Sequence, residues 1–416
     1  MRRPETFRGW LSALILALFL PLPTTGQSPA IFDAEGRRVV AMGDIHGAFD
    51  GMTSILQEAG ILDEENRWAG GNAILVQLGD MIDRGSESMR VARFLKDLQQ
   101  QAPEHGGRVL VLMGNHEVMN LIGDRRYVTP GMLSATFDAE DSASRKAVEA
   151  SRKENCKLYA SQVIRRARAL VEYYEDHPEQ AGGKRYGIPA RQSLRSECME
   201  KTLPGLVEFV QALEPDQEMG AWFRSLPAVA QINGVVFVHG GISPAVLEKT
   251  LQEINQQVQE EVTRFDRFRN FLMERDLMIP TASIGQMGGI IQELTMTSLE
   301  PDYPADLPSF FDIRDWMLMS SDGPLWFRGF ANWTPEQGAA EVPGILEKLG
   351  AEHIVVGHST RKSGRIENPF DNRVFLIDTG MLTEYYNGAP SVLEIDAGRF
   401  TAIYLDQRVL LYDPAS

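Results

Sequence analysis

Short apolar runs, each followed at once by polar residues and glycine, recur along the first third of the chain. Residues 38–42 (RVVAM), 73–79 (AILVQLG) and 108–113 (RVLVLM) have the length and composition of buried strands. Between them, apolar residues recur at helical spacing over 49–60 and over 86–101, where Ser86 is the expected N-cap. This alternation predicts an α/β fold with parallel strands, in which each helix connects one strand to the next.

The alternation stops after residue 123. Residues 124–224 are polar and helical in character, with no clear strand, and they follow a loop of chemically active residues directly. We expect a helical insert over about 124–224 that caps the functional site. The alternative is an insert that stabilises the fold and lies far from any substrate.

Strand patterns return in the second half of the chain. Strands are predicted at 235–238, 353–356 and 375–377, helices at 244–275 and 342–350, an irregular region up to 321, and an antiparallel pair in the last 30 residues.

The overall composition is that of an acidic globular protein. Of the 416 residues, 43% are hydrophobic and 24% charged, and the formal net charge is −16. This charge argues against a general nucleic-acid binder or a protein that binds anionic membranes.

The N-terminus has the organisation of a signal peptide. Arg2, Arg3 and Arg8 precede an apolar stretch over 10–22, and small and polar residues follow it. About a dozen apolar residues fall short of the ~20 that span a bilayer. We therefore expect residues 1–27 to be removed, leaving a periplasmic or secreted protein without stable membrane insertion; an uncleaved anchor is the alternative.

The chain has two cysteines, Cys156 and Cys198, both within the predicted insert. Two cysteines are too few for a cysteine-rich zinc site. Export to an oxidising compartment favours a disulfide between them over two buried thiols.

Polar side chains follow each of the first three strands. Asp44, Asp80 and Asn115 stand 36 and 35 residues apart, which is the length of one strand–helix repeat. Because the carboxyl ends of parallel strands meet at one edge of a sheet, we expect these oxygen donors to lie together. The alternative for residues 80–84 is a solvated acidic loop with an internal salt bridge.

Four of the seven histidines, His46, His116, His239 and His358, come directly after apolar runs and near glycine. A single histidine in this position is commonly structural, but four are not explained in that way. Carboxylate, amide and imidazole ligands without thiolate suit two divalent cations such as Mn, Fe or Zn. The candidate ligands are Asp44, His46, Asp80, Asn115, His239 and His358.

Residues beside these ligands suit phosphoryl transfer. Two cations roughly 3.5–4 Å apart can hold a phosphoryl group and a hydroxide between them. We expect His116 to protonate the leaving oxygen, Asp83 to orient His116, and the planar fork of Arg84 to bind phosphoryl oxygens.

The motifs GDIHG, GDMIDRG, GNHE, HGG and a late GH, in this order, resemble those of the metallophosphoesterase superfamily, in its phosphoprotein phosphatase branch. The long insert after GNHE, the segment SLPAVAQINGVVFVHGGIS and the segment GPLWFRG are similar to those of the Shewanella-like protein phosphatases. The resemblance implies a calcineurin-like β-sandwich core flanked by helices over residues 28–416. It also implies that Asp80 bridges the two metals and that His116 and Asp83 form the proton-donating pair. Arg84 would bind phosphate, and Arg328 of GPLWFRG is the candidate second phosphate-binding arginine.

The resemblance implies a dinuclear-metal phosphoprotein phosphatase that works by direct attack of a metal-bridging hydroxide. Phosphotyrosine is the favoured substrate, and phosphoserine and phosphothreonine stay open. One alternative is a periplasmic hydrolase of small phosphate esters or dinucleoside polyphosphates, for which Arg191 and Arg195 would supply a basic cleft. A silent metal-binding scaffold is the alternative from another class.

Overall fold

The computed structural model describes residues 30–34, 36–136, 141–182, 186–297 and 302–415. The predicted signal peptide, residues 1–27, lies outside the described residues. None of the helices in the described part of the chain combines the length and apolar character that crossing a membrane requires.

Two mixed sheets form the centre of the molecule. The first has the strand order β11-β10-β9-β2-β3-β4 and the second the order β1-β5-β6-β7-β8. Strands β2, β3 and β4 run parallel to one another in the first sheet, as do β6, β7 and β8 in the second. The strands are β1 (Ile31–Phe32), β2 (Val39–Met42), β3 (Ile74–Gln77), β4 (Arg108–Val111), β5 (Val229–Ile232), β6 (Val235–Val238), β7 (His353–Val356), β8 (Val374–Leu376), β9 (Ser391–Asp396), β10 (Arg399–Tyr404) and β11 (Arg408–Tyr412).

The side chains of each central strand alternate between two hydrophobic cores. In β3, Ile74 and Val76 belong to the core between the sheets, whereas Leu75 belongs to the core that the helices cover. In β7, Val355 belongs to the core between the sheets and Ile354 to the core that the helices cover. Burial on both faces explains the nearly continuous apolar runs in the sequence. The predicted β-sandwich flanked by helices is confirmed.

Helices cover the outer faces of the sandwich and fill the region between β4 and β5. They are α1 (Phe49–Glu58), α2 (Ser88–Gln101), α3 (Asn115–Leu121), α4 (Pro130–Ser134), α5 (Ser142–Asp176), α6 (Arg191–Lys201), α7 (Leu206–Ala212), α8 (Glu218–Ser225), α9 (Leu251–Glu274), α10 (Ile284–Thr297), α11 (Gly329–Asn332) and α12 (Pro335–Leu349).

Four details of the predicted helices were wrong. Helix α9, predicted to begin at residue 244, begins at Leu251, where Thr250 and Glu253 form a capping box. Helix α2 begins at Ser88 after an N-cap at Glu87, so Ser86 is not the cap. Helix α12 begins at Pro335, seven residues before the predicted start, because Thr334 and Gln337 form a capping box there. The region expected to be irregular contains the 14-residue helix α10.

The last strands also differ from the expectation. The predicted terminal antiparallel pair is a three-stranded ribbon, in which β9 and β11 both pair with β10. Strand β9 pairs with β2 as well, so the ribbon extends the first sheet.

Between residues 124 and 225 the described residues form five helices, α4 to α8. A disulfide joins Cys156 of α5 to Cys198 of α6. Helix α5 also contacts the segment around α10, since the Gln162 amide donates to Asp276 at 2.9 Å and Arg166 pairs with Glu293 at 3.1 Å. That the insert caps the functional site stays a prediction.

Candidate metal and catalytic site

The site lies where the carboxyl ends of strands from both sheets meet. Asp44 follows β2, Asp80 follows β3 and Asn115 follows β4, while His239 follows β6 and His358 follows β7. Hydrogen bonds join the two sheets at this edge. The His358 N–H donates to Asp44 Oδ1 at 2.9 Å, and His239 Nδ1–H donates to the carbonyl oxygen of Leu78 at 2.8 Å.

The backbone at the site is locally strained. Positive φ angles of +50° to +72° occur at five candidate residues, namely His46, Asp80, Asp83, Arg84 and His358. Such angles are unfavourable for residues other than glycine and cluster at functional sites. Gly79, at φ +94°, allows the close approach, because a Cβ there would lie 2.4 Å from the Gly114 nitrogen.

Two groups of buried donors share the carboxylate of Asp80. In the first group, Asp80 Oδ2 lies 3.6 Å from His46 Nε2 and 3.8 Å from His116 Nε2. In the second, Asp80 Oδ1 lies 3.3 Å from His239 Nε2, which is 3.1 Å from His358 Nδ1. Asp80 is therefore placed between two positions where a cation has several donors.

The remaining predicted ligands border these two groups. Asp44 Oδ2 lies 3.9 Å from His46 Nε2, and Asn115 Oδ1 lies 2.8 Å from His239 Nε2. All six predicted ligands are thus brought together, and all are buried.

The hydrogen bonding of this cluster fits a cation. His239 Nδ1 is committed to the Leu78 carbonyl, so Nε2 faces the oxygen acceptors of Asn115 and Asp80. Acceptors that face one another need a proton or a metal ion between them. In addition, the buried Nε2 of His358 has no hydrogen-bond partner among the described residues. These donors fit two divalent ions.

The electrostatics of the cluster also favour added positive charge. Burial raises the pKa of Asp44 well above its ordinary value, and repulsion from Asp378 and Asp80 adds to the rise. Burial would raise the pKa of Asp80 too, but the imidazoles of His239 and His116 outweigh it and hold that pKa well below its ordinary range. Burial opposes protonation of His239, yet Asp80 and Asp44 raise its pKa to about 9. A cation held by Asp44 and Asp80 would relieve the cost of burying these carboxylates and would take the place of the proton on His239.

His116 forms a hydrogen-bonded pair with Asp83. Its Nδ1–H donates to Asp83 Oδ2 at 2.6 Å, which turns Nε2 towards Asp80. Asn120 fixes this pair, since its amide donates to both oxygens of Asp83 at 3.0 Å and to the His116 carbonyl at 2.9 Å. A carboxylate behind an imidazole sets the tautomer and the orientation of the ring.

The two predicted phosphate-binding arginines differ in their surroundings. Arg84 Nη1 contacts His46 Nε2, and no ion pair joins Arg84 to a carboxylate in the described part of the chain. Arg328 is exposed, and its Nη1 donates to the carbonyl oxygen of His358 and to Ser359 Oγ, each at 3.0 Å. Both arginines therefore lie next to candidate metal ligands.

Two acidic residues at the site were missed by the sequence reasoning. Glu117 is fully buried, and its carboxylate accepts from the N–H groups of Asp80, Met81 and Gly114 at 2.8–2.9 Å. Burial raises its pKa to about 7, and the charge of Asp80 contributes. Asp378, which accepts from Thr360 Oγ1 at 2.6 Å, lies close enough to raise the pKa of Asp44. Their positions in GNHE and in DTG, each at the end of a strand, were the available signal.

The chain belongs to the calcineurin-like phosphoesterase family, whose sequence model matches residues 37–361. Among curated proteins it is similar to Shewanella-like protein phosphatase 2 of Arabidopsis thaliana, with 26% identity over 92% of this chain and 81% of the relative. It is also similar to Shewanella-like protein phosphatase 1 of Plasmodium berghei, with 24% identity over 88% of this chain and 74% of the relative. Among solved structures, the cold-active protein-tyrosine phosphatase of a psychrophilic Shewanella species has the same fold, with a TM-score of 0.57, 24% identity and coverage of 92% of this chain and 83% of that one.

Proposed function

We propose that this protein is a metal-dependent phosphomonoesterase that removes phosphate from phosphoproteins, with phosphotyrosine as the favoured substrate. The observation that carries the proposal is the position of Asp80, whose two carboxylate oxygens face His46 and His239 separately, beside the His116–Asp83 pair. The two curated relatives, both called protein phosphatases, support the substrate class.

The ligand set would hold two Mn, Fe or Zn ions, with Asp80 between them. When bound, such ions supply positive charge for the phosphoryl oxygens and lower the pKa of water. His46 Nε2 has one lone pair, so it either accepts from Arg84 or ligates a cation. With a cation on His46, the Arg84 guanidinium would be available to bind a phosphoryl oxygen.

The chain's own acid would be His116. With Nδ1–H held by Asp83, a proton at Nε2 is directed towards the centre of the cluster, where the leaving oxygen of an ester would need it. In characterised enzymes, proton transfer by a positioned acid contributes roughly 10²–10⁴-fold to the rate.

Location is the second part of the proposal. The arginines at positions 2, 3 and 8 and the apolar stretch after them support export, so the substrates would be periplasmic or extracellular. The net charge of −16 disfavours dinucleoside polyphosphates, because they carry several negative charges.

A metal-restoration assay tests the proposal. The mature chain is freed of metal with a chelator and supplied with Mn, Fe or Zn separately. It is then assayed on a phosphotyrosyl peptide, the matching phosphoseryl peptide and a dinucleoside tetraphosphate. We expect metal to restore hydrolysis of the phosphopeptides, and Asp80→Asn to abolish the restoration.

The contrary outcomes separate the alternatives. Preference for the dinucleoside tetraphosphate would favour the small-phosphate hydrolase, and metal binding without hydrolysis would favour the scaffold. Equal activity with and without metal would refute metal dependence.

A further inference from the structure

Three tyrosine rings surround the guanidinium of Arg84. Its Cζ lies 4.8 Å from the ring centre of Tyr127 and 5.4 Å from those of Tyr385 and Tyr386. Rings at these distances attract the cation without neutralising it, whereas an ion pair with a carboxylate would compete with an incoming phosphate. The site therefore holds its candidate phosphate-binding arginine within an aromatic cluster.

The three rings differ in what they touch. Tyr127 packs against His116 at 4.9 Å between ring centres, and Tyr386 stacks on His46 at 5.7 Å, so both contact the catalytic cluster. Tyr385 contacts Tyr386 at 4.8 Å between ring centres and is 59% exposed. Tyr385 thus offers a free ring surface immediately outside Arg84.

The segment that carries Tyr385 is fixed by its own hydrogen bonds. A single helical turn, Thr383–Tyr386, ends at Asn387, which has φ +55° and donates its N–H to the Thr383 carbonyl at 2.8 Å. Two hydrogen bonds then join Thr379 to Ala389. The Thr379 carbonyl oxygen accepts from the Ala389 N–H at 3.1 Å, and the Thr379 hydroxyl donates to the Ala389 carbonyl oxygen at 2.7 Å. The backbone that carries Tyr385 is therefore ordered before a ligand binds, which lowers the entropy cost of a contact there.

A groove lies next to Arg84. It has a volume of about 510 Å³, and its lining includes Arg84, Tyr385, Thr129, Leu382 and the segment Gly47–Gly51. The space is sufficient for a side chain bound at Arg84 and for the peptide next to it.

We propose that Tyr385 is a specificity-determining residue, whose exposed ring packs against the phenyl ring of a phosphotyrosine held by Arg84. The inference rests on the proposed function and adds the residue that would select the aromatic ester. Phosphoserine has no ring to place against Tyr385, so it gains nothing from this contact. An aromatic pair contributes enough to alter relative rates roughly threefold to tenfold.

The test compares the Mn-loaded wild type with Tyr385→Ala and Tyr385→Phe on phosphotyrosyl and phosphoseryl peptides of otherwise identical sequence. We expect Tyr385→Ala to lower kcat/KM for the phosphotyrosyl peptide roughly threefold to tenfold, mainly through KM. The phosphoseryl value should fall by a smaller factor, since Tyr385 also contacts Arg84, and Tyr385→Phe should retain the wild-type ratio of the two values. Phe311→Ala is the matched control, since Phe311 is 52% exposed and lies outside the groove lining.

Binding gives a readout that does not depend on turnover. A peptide carrying a non-hydrolysable phosphonate analogue of phosphotyrosine should bind Tyr385→Ala more weakly than the wild type by the same factor.

The outcomes are distinct. Equal losses on both peptides would show that Tyr385 only positions Arg84, and no loss on either would show that it does not contact substrate; both results overturn the inference alone. A wild type that hydrolyses neither peptide overturns the proposed function and this inference with it.

Discussion

At the scale of single residues, the account depends on how Asp80 is held. Its carboxylate faces two groups of imidazoles, and its Oδ1 also accepts the N–H of His116 at 2.9 Å. Its φ of +56° is one that an aspartate adopts only when the surrounding structure enforces it. Much of that enforcement comes from Glu117, which receives the N–H groups of Asp80 and its neighbours.

Replacing the proposed acid tests the chemistry of the leaving group. We expect His116→Asn to reduce kcat/KM for a phosphoseryl peptide by about 10²-fold or more and for a phosphotyrosyl peptide by less. The reason is that a phenol, with a pKa near 10, leaves more readily without protonation than a serine alkoxide does. His105→Asn, an exposed histidine outside the site, is the matched control. Equal losses on the two substrates would argue against His116 as the proton donor.

The substitution Glu117→Gln tests whether the Glu117 carboxylate stabilises the loop that carries Asp80. Both carboxylate oxygens accept backbone N–H groups, so the amide of glutamine would turn one N–H donor towards another. We expect the free energy of unfolding of the metal-free protein to fall by about 1–3 kcal/mol.

Urea unfolding measures this change, and Glu341→Gln on the exposed side of α12 is the control, for which we expect about 0.5 kcal/mol or less. If the two variants are equally stable, Glu117 does not hold the loop.

At the scale of secondary-structure elements, the disulfide between α5 and α6 is the feature most open to test. It joins residues 42 positions apart within a region whose own hydrophobic cluster contains few residues, among them Ala160, Ile164 and Leu194. We expect the double substitution Cys156→Ala with Cys198→Ala to lower the free energy of unfolding by about 2–4 kcal/mol.

Hydrogen exchange locates the effect of that change. The amides of α5 and α6 should exchange faster in the double variant, while those of β2 and β3 in the sandwich should change much less. Unchanged exchange in both helices would show that packing alone holds the insert together.

The elements also show what could be predicted from the sequence and what could not. The strands that carry the site were recognisable, because burial on both faces produces apolar runs that end at the functional residues. Helix α10 was not, because glycines at positions 285, 288 and 289 lower its helix propensity. The structure gives a reason for one of them: a Cβ at Gly288 would lie 3.2 Å from the ring of Phe310.

The start of helix α12 was predicted wrongly for a different reason. Proline is commonly found at the start of a helix, but Pro343 lies inside α12, which begins eight residues earlier. At the site, the candidate ligands could be proposed from motifs, whereas Glu117, Asp378 and Tyr385 depend on contacts between distant segments. Such tertiary contacts leave no periodic pattern in a single sequence.

At the scale of the whole molecule, the site exists because two sheets end at the same edge. Asp44, Asp80 and Asn115 come from the first sheet, and His239 and His358 come from the second. Hydrogen bonds from His358 to Asp44 and from His239 to Leu78 fix the sheets relative to each other at this point. Neither sheet alone offers the donors for two ions.

The most direct measurement is anomalous diffraction from crystals of catalytically active, Mn-loaded protein. The account predicts two peaks roughly 3.5–4 Å apart with the carboxylate of Asp80 between them. His46 and Asp44 should lie beside one peak, and Asn115, His239 and His358 beside the other. A single peak, no peak, or two peaks away from Asp80 in active protein would contradict it.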